Sequence, residues 1–575
     1  MRLPIVAVCA AAAATVLTAP AYAAPPPPQV VVKDGVTQPV FPIGQAVTQD
    51  VFVETPVDTD SDGKKDRVHL SITRPGPTNS GMKVASLIEL SPYFAGIGDN
   101  PNHPVDIGPA PLRAGDSLAR SSTLLAESTK DFYVARGYAY VEAESIGSGQ
   151  SEGCPTTGDQ NETLAGKSVV EWLTGVAKGY TGAGQPVAAT WSAGSVGMMG
   201  VSYNGTLPNM VATTGVAGLK TIVPISAISN WYSYYRANGA VVAPGGYQGE
   251  DADVLARAVL TRKNPQVCAA LMNKIEADQD RVTGDYSPFW AARDYVGKAS
   301  QVKASVFMTH GLEDWNVKTK HFAVWWDALG KAGVKRKLWL HNAGHGPSSL
   351  PAWDDAVHRW IDHYLYDVNN GIDTQPAVTI QRPSTPLATY ANWPDPAAQQ
   401  VTYQLAPRKL VTTPGQAVTE SFTDVGKTIT AETLATNPQQ DAANRLGYVA
   451  PPLTKLTRLS GTPQVTLNAS VDNATSGTLT ALLVDYDPTF ARARIVSRGW
   501  IDVRNRTSSS VTEPIQKGTP YQYSFELQPK DYLFSAGHQI ALVVITTDHD
   551  YTLRPDPGTK VSLRLAASSL RVPLV

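Results

Sequence analysis

Met199-Gly200-Val201-Ser202-Tyr203-Asn204-Gly205 closes an apolar run over 196–201 and opens a helix-forming stretch that passes through Val211 and Ala212. A serine on a sharp strand-to-helix turn needs small neighbours, because the backbone there is strained and crowded, and the turn then holds Oγ up at the edge of a sheet. The segment reads as a nucleophile elbow. Its fifth motif position is Asn204, with Gly205 one residue later, so the strict G-x-S-x-G pattern is not met. An ordinary Gly-Ser turn is the competing reading.

Outward from the elbow, residues 51 to about 367 alternate strand-like apolar runs with amphipathic helical stretches, the pattern of a sheet flanked by helices. Strands are predicted over 83–90, 138–142, 196–201, 221–224, 305–310 and 337–341, and several end in Gly, Ser, Asp or His. In open parallel sheets the chemistry collects just beyond such carboxyl ends. Between 226 and about 300 the strand rhythm stops; an aromatic stretch (Trp231, Tyr232, Tyr234, Tyr235) leads into helical runs over 250–260 and 266–277, read as an inserted cap. Beyond residue 370 the chain turns to Thr, Val, Ser and Pro in short alternating runs, including 479–484, 495–503, 522–527 and 539–546, which predict an all-β sandwich. The expected organisation is an α/β core over 24–227 and 301–372, a helical cap over 228–300 and a C-terminal sandwich over 373–575, after a leader over 1–23.

A hydroxyl is a poor nucleophile until a base takes its proton, and that base must be held by a carboxylate. His310-Gly311-Leu312-Glu313-Asp314-Trp315-Asn316 follows one predicted strand, and His341-Asn342-Ala343-Gly344-His345-Gly346 follows the next. The chain order Ser202, Asp314, His345 is that of an α/β-hydrolase triad. Glu313 and His341 are the competitors; His341 still lies in its strand, whereas His345 sits in a Gly-flanked loop. A metal site at His341 and His345 is disfavoured, since Asn-Ala-Gly between them lacks both helical propensity and the glutamate of H-E-x-x-H.

The chain has 575 residues with 42% hydrophobic and 17% charged, and Lys plus Arg number 48 against 50 Asp plus Glu. With no basic excess, nucleic-acid binding is disfavoured. Arg2, an apolar stretch over 5–17 and Ala21-Tyr22-Ala23 predict a cleaved export signal and a secreted product with no membrane segment. Cys154 and Cys268 then remain after Cys9 leaves, either joined in an oxidising compartment or as two buried free thiols. Asp58-Thr59-Asp60-Ser61-Asp62-Gly63 has the D-x-D-x-D-G spacing of a calcium loop, but its twelfth position is His69 and not Glu, leaving a polar turn as the alternative.

Together Gly200-Val201-Ser202-Tyr203-Asn204-Gly205, His310-Gly311-Leu312-Glu313-Asp314-Trp315-Asn316-Val317, Ser91-Pro92-Tyr93 and Ile228-Ser229-Asn230-Trp231-Tyr232-Ser233-Tyr234-Tyr235 resemble the Xaa-prolyl dipeptidyl-peptidase family, relatives of cocaine esterase and α-amino acid ester hydrolases. The resemblance implies an α/β-hydrolase core, a helical cap and a C-terminal jelly roll. It implies Ser202 as nucleophile, His345 as general base and Asp314 as its orienter, with the Tyr93 hydroxyl and the Tyr203 N–H forming an oxyanion hole. It places Trp231 and Tyr234 around a proline ring, and Glu250 with Asn316 on a free substrate amine. Other readings of these residues are a packed aromatic for Tyr93, core packing for Trp231 and Tyr234, and a helix N-terminus for Glu250. The stretch before Val51 is too short for the long helical domain that some members carry, so dimerisation through it is not carried over, and the oligomeric state stays open.

The expected function is a secreted serine dipeptidyl-peptidase acting on peptides with proline second from the N-terminus, through an acyl-enzyme and without a cofactor. The rivals are an esterase or acylase on the same triad, and a non-catalytic protein whose sandwich binds carbohydrate.

Overall fold

The computed structural model describes Met1 and residues 29–107, 124–383, 385–414 and 416–575; the export signal expected over 1–23 therefore lies, Met1 apart, outside the described residues. The first sheet is built from β1 (Val47–Glu54), β2 (Arg67–Arg74), β3 (Val84–Ser91), β4 (Ala139–Glu144), β5 (Ser192–Val201), β6 (Leu219–Ile225), β7 (Ser305–Gly311), β8 (Arg336–His341), β9 (Val378–Ile380) and β10 (Ala388–Tyr390). Their order across the sheet is β1-β2-β4-β3-β5-β6-β7-β8-β9-β10, with a short hairpin, Gly179–Tyr180 and Pro186–Val187, beyond β1. β3 to β9 run parallel, while β2 pairs antiparallel with both β1 and β4. All eight residues of β3 are buried, as a central strand covered on both faces requires.

Alternation along the strands feeds two separate cores. Val84, Ile88 and Met198 face one cluster with the helices Gln160–Leu173, Tyr203–Ala212 and Lys320–Lys331. Ala85, Leu87, Met199 and Val201 face the other, with Glu127–Ala135 and Pro351–Tyr366. This is an α/β-hydrolase layering, and it leaves the carboxyl ends of β3, β5, β6, β7 and β8 together on one edge.

The cap follows β6. Its helices are Trp231–Tyr235, Ala252–Val259, Ala269–Asp278 and Pro288–Ala291. The run predicted over 266–277 begins as a 3₁₀ turn, Pro265–Cys268, which Pro265 opens at its first position, and becomes α-helical only from Ala269. Cys268 there is joined by a disulfide to Cys154, in the loop after β4, with their Cα atoms 5.6 Å apart.

One boundary moves. The first sheet does not stop before residue 373: β9 pairs parallel with β8, β10 closes the edge, and the sandwich opens only with the strand Gln399–Ala406. Three-residue strands carry too little periodicity to mark the change. The C-terminal domain is all β, with Thr478–Asp487 between Arg492–Asp502 and Gln539–Ile545. The fifteen-residue strand Lys560–Leu574 pairs with Gln399–Ala406, Thr419–Thr423, Gln464–Val471 and, by one bridge, Thr457–Gly461. Its apolar core is separate from the two of the hydrolase sheet.

The acidic segment after β1 forms a polar turn: the Asp58 carboxylate accepts from the Asp62 and Gly63 N–H groups at 3.1 and 3.0 Å, and Gly63 takes φ +83°. Asp58, Asp60 and Asp66 bring carboxylate oxygens within 4.8 Å of one another, while Asp60 also pairs with Arg262 at 2.6 Å. His69, at the twelfth position, turns to Glu144 at 3.0 Å.

Candidate active site

Ser202 follows β5 directly and N-caps the helix Tyr203–Ala212 at φ +64°, ψ −125°, a conformation that costs a non-glycine residue about 1–3 kcal/mol and persists only where the surroundings enforce it. They do so here. The Ser202 N–H donates to the Ile225 carbonyl at 2.8 Å, and its own carbonyl accepts from the Thr206 N–H and hydroxyl at 2.9 and 2.8 Å. A Cβ at Gly200 would lie 2.4 Å from the Asn204 carbonyl oxygen, and one at Gly205 would lie 2.7 Å from that of Gly200. The close approach therefore falls on Gly205, one position later than the strict motif has it. Asn204 fits in the place before it, where its amide donates to Glu89 at 3.5 Å.

Asp314 follows β7 in a tight loop: its N–H donates to Gly311, and one carboxylate oxygen accepts from the Asn316 and Val317 N–H groups at 3.0 and 2.9 Å. The other oxygen lies 2.7 Å from His345 Nδ1. Burial would raise the Asp314 pKa, but the charge and hydrogen bond of His345, with His310 and the Ser226 hydroxyl, outweigh it and hold the carboxyl below its ordinary range. Asp314 is thus an anion aimed at one imidazole nitrogen.

Both competitors point elsewhere. His341 Nε2 lies 3.0 Å from the Gly346 carbonyl, and Glu313 pairs with Arg494 at 3.0 Å on the sandwich side. His310 faces the Val317 carbonyl at 2.8 Å, and burial pulls it down to about 4, so it stays neutral. Among the described residues His345 Nε2 has no hydrogen-bond partner, and a contact of this kind often tightens only around substrate.

The Tyr203 N–H is one of the first-turn donors that a helix cannot satisfy internally. Tyr93 follows β3, its N–H donating to Ser91 Oγ at 2.9 Å, and its ring meets that of Tyr203 edge-on at 6.2 Å. The two residues expected to supply oxyanion donors are therefore in ring contact.

The remaining expected residues gather on the cap side. Tyr234 donates its hydroxyl to the Asn316 side-chain oxygen at 2.8 Å and lies within the electrostatic reach of Glu250, Tyr93, Tyr247 and Asp314. Glu250 is buried and accepts from the Tyr235 hydroxyl at 2.9 Å; the helix Ala252–Val259 is capped by Asp251 instead, so Glu250 is not its N-terminal anion. Trp231 is fully buried between Tyr203 and Tyr235, and its indole N–H is spent on the Tyr295 hydroxyl at 2.7 Å. That is core packing behind the site, which leaves Tyr234 as the aromatic held by Asn316.

Two supports have no local signal in the sequence. Glu162 accepts the Tyr203 hydroxyl at 2.7 Å and the Gly158 N–H at 2.7 Å; burial pushes it up to about 7. Ser226, at φ +46° just past β6, accepts the Gly346 N–H at 3.1 Å and so fixes the residue after His345. Its place beyond a strand end was the only hint.

Comparison with known proteins gives the family. Residues 62–347 match the X-Pro dipeptidyl-peptidase (S15 family), and residues 370–571 match the X-Pro dipeptidyl-peptidase C-terminal non-catalytic domain. A Bacillus anthracis protein provisionally named Xaa-Pro dipeptidyl-peptidase is 49% identical over 550 residues, covering 95% of this chain and 90% of that one. The Xaa-Pro dipeptidyl-peptidase of Lacticaseibacillus casei is 34% identical over 94% of this chain and 78% of its own length. Among solved structures, an α-amino acid ester hydrolase superposes with TM-score 0.66 at 18% identity, covering 97% of this chain and all of that one. A CocE/NonD family hydrolase of Staphylococcus aureus does so with 0.67 at 17% identity, covering 93% and 98%. These two share the fold. With two domain matches in order and near-complete coverage by relatives at up to 49% identity, the chain belongs to the X-Pro dipeptidyl-peptidase (S15) family of serine peptidases.

Proposed function

We propose that the protein is a secreted serine dipeptidyl-peptidase that releases Xaa-Pro dipeptides from peptide N-termini through an acyl-enzyme on Ser202. The observation that carries the reading is a buried carboxylate, Glu250, on the cap side of the site and within electrostatic reach of Tyr234, which is itself hydrogen-bonded to Asn316 two residues from Asp314. A free α-amine is largely protonated at neutral pH, and a closed pocket that accepts it needs such an anion.

In this mechanism Ser202 Oγ attacks the carbonyl carbon of the second residue while His345 Nε2 takes the hydroxyl proton. Asp314 holds Nδ1–H, fixing the tautomer and stabilising the imidazolium. Charge then develops on the carbonyl oxygen, where the Tyr203 N–H and the Tyr93 hydroxyl favour the tetrahedral state over the ground state. Collapse breaks the peptide bond, His345 protonates the departing amine, and water deacylates the serine by the same path. The flat Tyr234 ring suits a pyrrolidine with no N–H to satisfy. Secretion is consistent with the Cys154–Cys268 bridge, since disulfides persist in oxidising compartments.

Gly-Pro-p-nitroanilide should be turned over and its N-acetyl form should not. Glu250→Gln, which removes one side of a desolvated charge pair at a cost of about 2–5 kcal/mol, should lower kcat/KM on Gly-Pro-p-nitroanilide by roughly 30-fold or more. Hydrolysis of p-nitrophenyl acetate, which has no amine, should scarcely change. Indifference of both substrates to Glu250→Gln, with equal turnover of the acetylated peptide, would favour the esterase or acylase reading. A mature protein in the culture medium beginning near Ala24 would establish export.

A further inference from the structure

The loop between β7 and the helix Lys320–Lys331 is held from two sides, and its residues divide between them. Asp314 faces His345, and Asn316 accepts the Tyr234 hydroxyl, so both turn toward the site. Leu312, Glu313 and Trp315 meet the sandwich. Lys530, the first residue of the strand Lys530–Phe534, is buried, and its ammonium donates to the Leu312 carbonyl. The same Nζ lies 3.8 Å from one Glu313 oxygen and 4.6 Å from the centre of the Trp315 ring. Arg494 takes the other Glu313 oxygen at 3.0 Å. Arg498, anchored by Asp548 at 2.8 Å, lies 5.4 Å over Trp315, which also meets Tyr551 at 5.9 Å.

A buried ammonium is a costly way to support a loop. Desolvation, with repulsion from Arg494 and Arg498, outweighs the attraction of Glu313 and Asp314 and pulls Lys530 down to about 8. Apolar replacement of buried charged groups is often neutral or stabilising, so stability alone gives no reason for a lysine here. What the charge secures is direction: it grips a main-chain carbonyl two residues before Asp314, and an apolar side chain has nothing to offer that oxygen.

We propose that Lys530 is a positioning residue of the triad: by gripping the Leu312 carbonyl and Glu313, the sandwich domain sets the Asp314 carboxylate on His345 Nδ1. The C-terminal domain then helps to set the reacting geometry without touching substrate. The proposal rests on the triad reading above. Its physical basis is that Asp314 acts by holding one tautomer in one orientation, an effect that a small displacement undoes.

Lys530→Met keeps the length and removes the charge. The second-order rate of labelling by a fluorophosphonate, which reads the triad with any acyl specificity set aside, should fall roughly 10-fold or more. On Gly-Pro-p-nitroanilide the loss should fall in kcat, with KM within about twofold of its starting value. Lys530→Arg should restore most of the rate. In an Asp314→Asn background Lys530→Met should cost little further, because both changes then act through one carboxylate. If Lys530→Met does not fold, as judged by circular dichroism, Glu313→Gln loosens the same loop from its partly exposed side and should slow labelling in the same direction. Labelling of a folded Lys530→Met or Glu313→Gln protein at the wild-type rate would overturn the proposal alone, as would an undiminished further loss in the Asp314→Asn background. A wild-type protein that takes no label would overturn the triad reading and this proposal with it.

Discussion

Ser202 and Asp314 stand beyond neighbouring parts of one sheet, yet they are held in opposite ways. The serine turn is locked chiefly by its own neighbourhood: Gly200 and Gly205 leave room for backbone that nothing larger allows, Thr206 caps the Ser202 carbonyl, and the next strand supplies Ile225. The Asp314 loop has Gly311 packed against Gly344 on its inner side, but its outer side is gripped by Lys530, Arg494 and Arg498 from another domain. A strained turn made of small residues can be carried in a short motif. The acid has local supports of its own in the Asn316 and Val317 N–H groups, but the grip on the outer side of its loop exists only where two domains dock.

The largest effects separate chemistry from orientation. Ser202→Ala should lower kcat by about 10⁶-fold, whereas Asp314→Asn, which leaves the nucleophile in place but favours the wrong histidine tautomer, should cost about 10⁴-fold. Single-turnover kinetics on Gly-Pro-p-nitroanilide would measure both, and near-normal turnover by a folded Ser202→Ala protein would remove the elbow from the chemistry altogether. Next comes Gly205→Ala. Its Cβ would meet only backbone, at 2.7 Å from the Gly200 and 2.8 Å from the Ile225 carbonyl oxygens. A loss of about 1–3 kcal/mol in urea unfolding is expected, together with loss of fluorophosphonate labelling. An unaltered Gly205→Ala protein would show that the turn is not locked from within.

The smallest effect concerns Glu162, which sits behind the elbow on the Tyr203 hydroxyl. Its carboxyl is raised by burial to about 7 in the folded chain, against an ordinary 4.5. Between those values the folded state holds a proton that the unfolded state has released, so the contribution of Glu162 to stability falls as pH rises through this window and stays low above about 7. Glu162→Gln should flatten that part of the stability profile, read from thermal midpoints at pH 5 and pH 8. An unchanged slope would place the titration elsewhere, for instance on Glu89, which burial also raises to about 7 beside Asn204.

The same contrast explains what could be read from the chain alone. The strand, turn and helix around Ser202 were legible because each depends on residues within a few positions, and so was the alternation that gives an α/β layer followed by a sandwich. The strand-end placement of Asp314 and His345 was legible for the same reason. Their supports were not: Glu162 reaches Tyr203 across 41 positions, Ser226 reaches Gly346 across 120, and Lys530 reaches Leu312 across 218. None of these pairings leaves a pattern in either segment taken singly. Trp231 marks where a local pattern stops deciding, since an aromatic cluster at a cap boundary looks the same in sequence whether a ring lines a pocket or is fully buried, as the Trp231 ring is. The continuation of the first sheet through β9 and β10 leaves no mark in the sequence because each has only three residues.

The strand Lys560–Leu574 ties the acid to sequence far from it. It pairs with four other strands of the sandwich, and through the sandwich it bears on the loop of Asp314. Loss of this one strand would therefore leave the serine turn its own supports while loosening the frame that carries Lys530.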